Sequence, residues 1–165
     1  MNDRTANIAA TAPSMFTLAD LGATQALAGR IASVLQVGDV IALDGDLGTG
    51  KTSFARAVIR TLGDPEMEVP SPTFTLVQTY DLPEFELWHF DLYRLEAPQD
   101  ALELDIEEAF ANAASLIEWP QRLGAFLPAD RLDIRFAFAD RPEKRTATVT
   151  ARGRWNARAA ALRDG

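Results

Sequence analysis

The stretch V-I-A-L-D-G-D-L-G-T-G-K-T-S-F occupies residues 40–54 and decides the fold. An apolar run ends there at a glycine-rich turn, which passes directly into a segment suited to a helix. Residues 45–52 fit the pattern G-x-x-x-x-G-K-[ST], in which backbone N–H groups form an anion-binding concavity at a helix N-terminus. The spacing of Phe54, Val58 and Leu62 predicts a helix over 51–62. The sequence therefore predicts a P-loop.

The P-loop chemistry gives most residues of this stretch a predicted role. Glycine accepts positive φ and has no Cβ to separate the backbone from a phosphate. Lys51 is expected to reach the β- and γ-phosphates, and Thr52 to place its hydroxyl on Mg²⁺. An ordinary strand–turn–helix loop is the alternative, and the strand and helix around the motif disfavour it. The predicted nucleotide-binding residues here are Gly45, Asp46, Leu47, Gly48, Thr49, Gly50, Lys51, Thr52 and Ser53.

Length and composition indicate one soluble domain over residues 1–165. The chain is 47% apolar, has no Cys and contains no apolar run long enough for a membrane span, so we expect a cytoplasmic protein with no membrane partner. Residues 1–14 lack the apolar core of a signal peptide, and we expect them to be disordered. A net charge of −8 argues against broad nucleic-acid binding, and no DNA partner is expected.

The charge is distributed unevenly along the chain. Residues 131–165 carry nine basic and four acidic side chains, whereas the rest of the chain is strongly acidic. The simpler interpretation is a solvated outer face followed by a C-terminal helix or tail at 153–165. A docking surface for an acidic partner or RNA is the alternative.

The remaining patterns predict an α/β fold with a mostly parallel central sheet, flanking helices and an antiparallel hairpin addition. Asp20 is a candidate N-cap for a first helix, and Gly63 followed by Asp64-Pro65 ends the P-loop helix. Besides the P-loop strand, strands are predicted at 15–19, 74–80, 85–93, 115–118, 132–138 and 145–151. Further helices are predicted at 98–110 and 156–163.

Two carboxylates are candidates for a metal site. Asp91 ends an apolar strand after the P-loop, which is the usual position of a Walker-B carboxylate that holds Mg²⁺. Glu118 ends another short strand, and its spacing leaves open a surface charge or a second acidic ligand. His89, the single histidine, is interpreted as a hydrogen-bonded structural residue. Thr73 lies in a proline-stiffened loop where a hydroxyl could sense the γ-phosphate.

Four motifs in order along the chain resemble the TsaE (YjeE) family of bacterial tRNA-modification ATPases. They are G-D-L-G-T-G-K-T at 45–52, S-P-T-F-T-L-V at 71–77, H-F-D-L-Y-R-L at 89–95 and I-E-W-P at 117–120. The resemblance implies a P-loop NTPase fold. It also implies a Mg²⁺-dependent ATPase needed to form threonylcarbamoyladenosine at position 37 of tRNAs that read ANN codons. Such a protein acts with TsaB and TsaD, and meets tRNA indirectly through that complex.

The resemblance also suggests roles by position. Lys51 matches a phosphate ligand, Thr52 and Glu118 match Mg²⁺ ligands, and Asp91 lies in or beside that shell. Thr73 matches a switch-like loop, and Thr24 matches a position near the nucleotide base. The predicted catalytic set is Lys51, Thr73, Asp91 and Glu118.

Other function classes fit the sequence less well. A small-molecule kinase would carry an arginine-rich lid, whereas Arg122 and Arg131 are isolated. A GTPase is disfavoured because no N-K-x-D element occurs. A binding module that holds nucleotide without turnover is a further alternative. With no obvious arginine finger, an ATPase of this kind is expected to be slow alone and modulated by partners.

Overall fold

A computed structural model describes residues 10–163. One seven-stranded sheet contains every strand of this part of the chain. In chain order the strands are β1 (Ser14–Leu18), β2 (Val40–Asp44), β3 (Val77–Asp81), β4 (Glu86–Asp91), β5 (Ala114–Glu118), β6 (Leu132–Phe138) and β7 (Arg145–Ala151). The α-helices are α1 (Leu21–Ala32), α2 (Lys51–Leu62), α3 (Ile106–Asn112) and α4 (Ala159–Arg163). Shorter 3₁₀ helices cover Pro98–Leu104, Pro120–Phe126 and Gly153–Arg158.

The sheet has the order β1-β7-β6-β2-β5-β4-β3. The four inner strands β6, β2, β5 and β4 are parallel. β3 adds to one edge through an antiparallel hairpin with β4, and β7 and β1 add antiparallel strands at the other edge. The predicted α/β fold with a mostly parallel centre is confirmed, and antiparallel additions occur at both edges rather than one.

Alternating side chains of the inner strands build two cores. Ile41 and Leu43 of β2 face the side covered by α1 and α2, whereas Val40 packs with Phe90 and Ile117 on the other side. The second core is closed by α3 and the neighbouring 3₁₀ helices. A central strand buried on both faces is apolar at successive positions, which explains the continuous run that precedes the P-loop.

Three predicted elements differ from the structure. The strand expected from Phe74 begins only at Val77, because residues 73–75 form a turn and Leu76 has a φ of 68°. The single helix expected over 98–110 is divided at Asp105, whose φ of 59° ends the 3₁₀ helix before α3 starts. The expected C-terminal helix is a 3₁₀ helix followed by the short α4.

The start of the chain is more ordered than expected. The disorder predicted for residues 1–14 extends too far, since Ser14 begins β1 and Thr11 donates its backbone N–H to the carbonyl oxygen of Ala151 at 3.0 Å. Residues 1–9 lie outside the described part. No helix within residues 10–163 has the length and apolar character needed to cross a bilayer.

Several basic side chains of the C-terminal region are paired within the chain. Arg131 and Arg152 both contact Asp133, at 2.7 and 2.6 Å, and Arg154 contacts Asp130 at 3.0 Å. These pairs favour the simpler interpretation, a solvated outer face, over a docking surface for an acidic partner.

One ion pair of this region is buried. The Arg158 guanidinium donates to both carboxylate oxygens of Asp39, at 2.7 and 2.8 Å, and lies 3.9 Å from the centroid of the Trp155 ring. Asp39 is fully buried and also accepts the backbone N–H of Gln36 at 2.6 Å. The C-terminal segment is thus held against the turn that leads into β2.

Replacing Asp39 should therefore destabilise the fold strongly. We expect Asp39→Ala to lower the free energy of unfolding by about 3–5 kcal/mol, because it leaves the Arg158 cation without its buried partner. The measurement is urea denaturation. Asp140→Ala is the matched control: its exposed pair with Lys144 at 3.4 Å should contribute less than about 1 kcal/mol. Similar losses for the two variants would contradict this prediction.

Candidate functional site

The loop between β2 and α2 has the conformation that its glycines predict. Gly45, Gly48 and Gly50 have φ values of 141°, 80° and 109°, a region that other residues rarely occupy. A Cβ at Gly45 would lie 2.5 Å from the carbonyl oxygen of Phe136 and 2.7 Å from Thr49 Oγ1. Where the loop passes β6 at Gly45, there is therefore room for the backbone but not for a side chain. α2 starts at Lys51, as predicted.

Lys51 is held inside the loop that precedes it. Its Nζ donates to the carbonyl oxygens of Gly45 and Asp46, the latter at 3.0 Å, and lies 4.1 Å from the centroid of the Trp119 ring. Burial lowers the pKa of Lys51 from its ordinary value, and the nearby carboxylates, Glu118 first, oppose that shift. The buried Lys51 ammonium has lost part of its hydration. A bound anion would compensate for that loss, so the position suits a negatively charged ligand.

Thr52 and Glu118 form the polar centre of the site. The Thr52 hydroxyl donates to Glu118 Oε1 at 2.8 Å, and Glu118 Oε2 lies 2.6 Å from His89 Nε2. Glu118 is 2% exposed, so it is not a surface charge at the end of a strand. The structure thereby excludes the surface charge that spacing left open, and the role of Glu118 as a second acidic ligand stays a prediction.

Asp91 stands beside Glu118 because their strands are paired in parallel, with the two residues in register. Asp91 Oδ2 accepts a hydrogen bond from the Thr73 hydroxyl at 3.1 Å, and Oδ1 accepts the Tyr93 backbone N–H at the same distance. The Thr73 hydroxyl is also 2.7 Å from that of Ser71. The hydroxyl loop and the Walker-B position predicted from the sequence are therefore in direct contact.

These groups border one cavity of about 280 Å³. Its walls bring together Leu47, Gly48, Gly50, Lys51, Thr52, Ser53, Ser71, Thr73, Asp91, Glu118 and Trp119. The other predicted loop residues lie apart from it. Gly45 and Asp46 border a neighbouring cavity of about 630 Å³, and Thr49 is 2% exposed with its hydroxyl donated to the Asp46 carbonyl oxygen at 2.6 Å.

Thr24 is not in the cavity wall. It lies on the core side of α1 and is 9% exposed. A separate cavity of about 520 Å³ opens beside α2, and the α1 residues that line it are Leu21 and Gln25. Ser53 lines both this cavity and the one next to the P-loop, so the two spaces are neighbours.

The oxygen atoms of the site suit Mg²⁺. Within residues 10–163 no group of three His, Cys, Asp or Glu side chains is arranged to enclose a metal ion. Mg²⁺ does not need one, because it prefers oxygen ligands and is commonly bound through one or two carboxylates, water and substrate phosphates. The Thr52 hydroxyl and the Glu118 and Asp91 carboxylates, all beside the P-loop, match that pattern.

Sequence reasoning gave no role to three contacts of the site. Trp119 has a φ of 58° and covers Lys51, while its ring also packs against Tyr93 at 4.9 Å between centroids. Trp119 follows a buried strand and precedes Pro120, and a large aromatic side chain at such a strand end was the available signal. The Ser71 contact and the His89 contact to Glu118 depend on tertiary structure.

Arg94 lies three positions after Asp91, and this proximity along the chain favours a structural salt bridge between the two. Among residues 10–163 the structure shows no such ion pair. The Arg94 guanidinium lies 4.4 Å from the centroid of the exposed Phe74 ring instead, because Arg94 lies beyond the end of β4.

A parallel sheet whose central strand runs through a glycine loop into a helix, with acidic residues at the ends of two adjacent strands, is the P-loop NTPase fold. Comparison with known proteins narrows this class. The family model described as "Threonylcarbamoyl adenosine biosynthesis protein TsaE" matches residues 18–147. The chain belongs to the TsaE family.

Individual relatives agree with this assignment. The chain is 37% identical over 127 residues to a tRNA threonylcarbamoyladenosine biosynthesis protein TsaE of Rickettsia bellii, covering 77% of this chain and 88% of that protein. It is 38% identical over 130 residues to the protein of the same name from Bacillus subtilis, covering 79% and 80%. A crystal structure of Bacillus subtilis YdiB superposes with a TM-score of 0.77 and 30% identity, covering 92% of this chain and 95% of that one.

The close approach at Gly45 makes a stability prediction. We expect Gly45→Ala to destabilise the protein by about 2 kcal/mol or more, because the new Cβ meets backbone and adopts an unfavourable φ. Gly29→Ala is the matched control, since its Cβ meets nothing within 4 Å and it lies inside α1; we expect a gain of roughly 0.5–1 kcal/mol. Thermal and urea unfolding measure both. A neutral Gly45→Ala would contradict the tight packing of this loop.

Proposed function

We propose that this protein is a Mg²⁺-dependent ATPase that takes part in the biosynthesis of tRNA threonylcarbamoyladenosine. The observation that carries the proposal is the convergence of Lys51, Thr52, Asp91, Glu118 and Thr73 on one cavity at the P-loop. Phosphoryl transfer to water requires chiefly positioning and charge neutralisation. The printed names of the relatives supply the pathway.

The phosphates of the nucleotide would occupy the 280 Å³ cavity. Gly48, Gly50 and Lys51 line that space at the N-terminus of α2, where the helix dipole favours negative charge. Lys51 would exchange its contacts with the Gly45 and Asp46 carbonyl oxygens for phosphate oxygens, and the Trp119 ring would limit how far its Nζ moves. The anionic ligand would also raise the pKa of this buried ammonium again.

Thr52 and Glu118 would hold Mg²⁺, with Asp91 in or beside its shell. When bound, the ion would neutralise charge on the terminal phosphates and favour departure of the leaving group. Asp91 and Thr73 lie on the same side of the cavity and can orient water or a terminal phosphate oxygen by hydrogen bonds. A change at the γ-phosphate would thereby reach the loop that contains Ser71, which makes Thr73 the proposed sensor.

The base of the nucleotide would lie in the neighbouring 520 Å³ cavity. That cavity adjoins the phosphate cavity at Ser53, and Leu21 and Ala57 give it apolar surface on which a planar base can pack. Gln25 adds a side-chain amide that can donate and accept hydrogen bonds. These residues replace Thr24 as the proposed contacts with the base.

The proposed partners are TsaB and TsaD, with tRNA reached through that complex in the cytoplasm. Three large apolar side chains close to the P-loop are open to solvent. Leu47, which lines the cavity, is 76% exposed, Phe74, which follows Thr73, is 80% exposed, and Phe138, which lines the neighbouring 630 Å³ cavity, is 55% exposed. Exposed apolar groups of this kind mark protein contacts more often than isolated surface positions do. A partner docked there would cover the nucleotide and could change its rate of hydrolysis.

The catalytic prediction is tested by ATP hydrolysis of the purified protein, alone and with the TsaB–TsaD pair. We expect slow Mg²⁺-dependent release of phosphate that changes with the pair and is lost in Lys51→Ala. Glu118→Ala should keep nucleotide binding but lose at least about a hundredfold in kcat, a typical effect of removing a group that acts on the transition state. Calorimetry with ATP measures the retained binding.

Three other outcomes would contradict the ATPase. Transfer of phosphate to a small acceptor would indicate a kinase. Binding without hydrolysis, even with the pair, would indicate a nucleotide-holding module. Hydrolysis that persists in Lys51→Ala would place the reaction outside this site.

A second prediction concerns the base. We expect Leu21→Glu to weaken ATP binding by about tenfold, or about 1.4 kcal/mol, because it places a charge where apolar surface faces the base. Thr24→Val, one turn along the same helix but on the core side, is the control and should bind as the wild type does. Isothermal titration measures both. A larger loss in Thr24→Val than in Leu21→Glu would return the base site to Thr24.

A further inference from the structure

His89 lies below the carboxylates of the site, on the face of β4 that also carries Asp91. They are two positions apart, so their side chains lie on the same side of the strand. His89 is paired in register with Leu116 and Asp91 with Glu118, which places the imidazole diagonally behind the Glu118 carboxylate. His89 is fully buried, so it borders the core rather than the cavity.

The imidazole has one polar contact among residues 10–163. Its Nε2 lies 2.6 Å from Glu118 Oε2, whereas Nδ1 is buried without a hydrogen-bond partner. An ionised carboxylate only accepts hydrogen bonds, so Nε2 carries the hydrogen and donates it to Glu118. A buried ring that leaves one nitrogen unpaired and directs the other at a carboxylate is specialised for that contact.

The two oxygens of Glu118 are therefore held from opposite sides. His89 holds Oε2 from the core, and Thr52 holds Oε1 from the first turn of α2. Without the donor from His89, the carboxylate can rotate about its terminal torsion, which is broad for glutamate. The oxygen that faces Thr52 and the phosphate cavity would then lose its fixed direction.

We propose that His89 is a positioning residue that orients Glu118 toward the Mg²⁺–phosphate side of the site. This inference rests on the proposed function for the identity of the ligand. Outer partners of metal-binding side chains commonly change metal affinity or activity by about 10–100-fold when they are removed. His89 acts through Glu118 alone and does not touch the nucleotide.

The experiment compares His89→Leu, which removes the donor, with His89→Gln, whose side-chain amide restores a donor near the position of Nε2. Each is made in the wild-type chain and in Glu118→Ala. Affinity for ATP is measured by calorimetry in a series of Mg²⁺ concentrations and in EDTA, and kcat and KM are measured for hydrolysis. Leu87→Val is the packing control, since Leu87 is buried on the same face of β4.

We expect His89→Leu to reduce the Mg²⁺-dependent gain in ATP affinity and kcat by about 10–100-fold. KM should rise with the lost affinity because turnover is slow, whereas affinity in EDTA should stay within about threefold of the wild type. His89→Gln should recover most of both losses. In Glu118→Ala the His89→Leu change should have less than about a twofold effect, because the group through which it acts is absent. Leu87→Val should alter stability without changing Mg²⁺ dependence.

The inference is overturned if His89→Leu behaves as the wild type does, if His89→Gln is no better than His89→Leu, or if the loss is equally large in Glu118→Ala. Should His89→Leu fail to fold, as judged by thermal unfolding, His89→Phe keeps a ring and removes the donor, and the same outcomes apply to it. Absence of hydrolysis in the wild-type chain would defeat the ATPase, whereas the Mg²⁺-dependent affinities would still judge His89.

Discussion

The parallel pairing of β2 with β5 and of β5 with β4 sets the position of every acidic group in the site. In a parallel sheet the carboxyl ends of neighbouring strands lie at one edge. The P-loop leaves β2 at that edge, Glu118 ends β5 there, and Asp91 ends β4 in register with it. Lys51, Asp91 and Glu118, which are separated by 40 and then 27 positions along the chain, thereby line one cavity. The antiparallel strands at both edges of the sheet leave this arrangement unchanged.

Neighbouring groups compensate the charged side chains beside the P-loop. Lys51 is 5% exposed, and its ammonium is compensated by two backbone carbonyl oxygens, the face of Trp119 and several carboxylates at longer range. The Glu118 carboxylate contacts Thr52 and His89, and the Asp91 carboxylate accepts a hydrogen bond from Thr73. The charged groups at this end of the sheet therefore have polar partners within the chain.

The basic C-terminal region comprises residues 131–165. Four of its nine basic residues, which suggested a surface for an acidic partner, are paired with Asp133, Asp130 or the buried Asp39. Three exposed apolar side chains lie instead close to the P-loop: Leu47 and Phe138 line the cavities there, and Phe74 follows Thr73. The proposed contact with TsaB and TsaD rests on these side chains and not on the basic segment.

Local chemistry was sufficient to predict the P-loop and α2, since glycine conformations, the loop lysine and the stop at Gly63 act over a few residues. The spacing of the buried residues in α1 also indicates which side of the helix is exposed. Thr24, Leu27, Ala28 and Ile31 form one buried row, which turns Leu21 and Gln25 toward the 520 Å³ cavity. The bends at Leu76, Asp105 and Trp119 escaped prediction because each is a non-glycine residue held at positive φ by its surroundings.

The sequence by itself determined the loop, the helix it begins and the identity of the candidate ligands, because these depend on spacing within single elements. Only the tertiary structure decided that Glu118 borders the P-loop cavity, that Thr73 contacts Asp91 and that His89 contacts Glu118. Those relations depend on the order and register of strands far apart along the chain. No local pattern of residues contains that register, since it follows from packing both cores against one sheet.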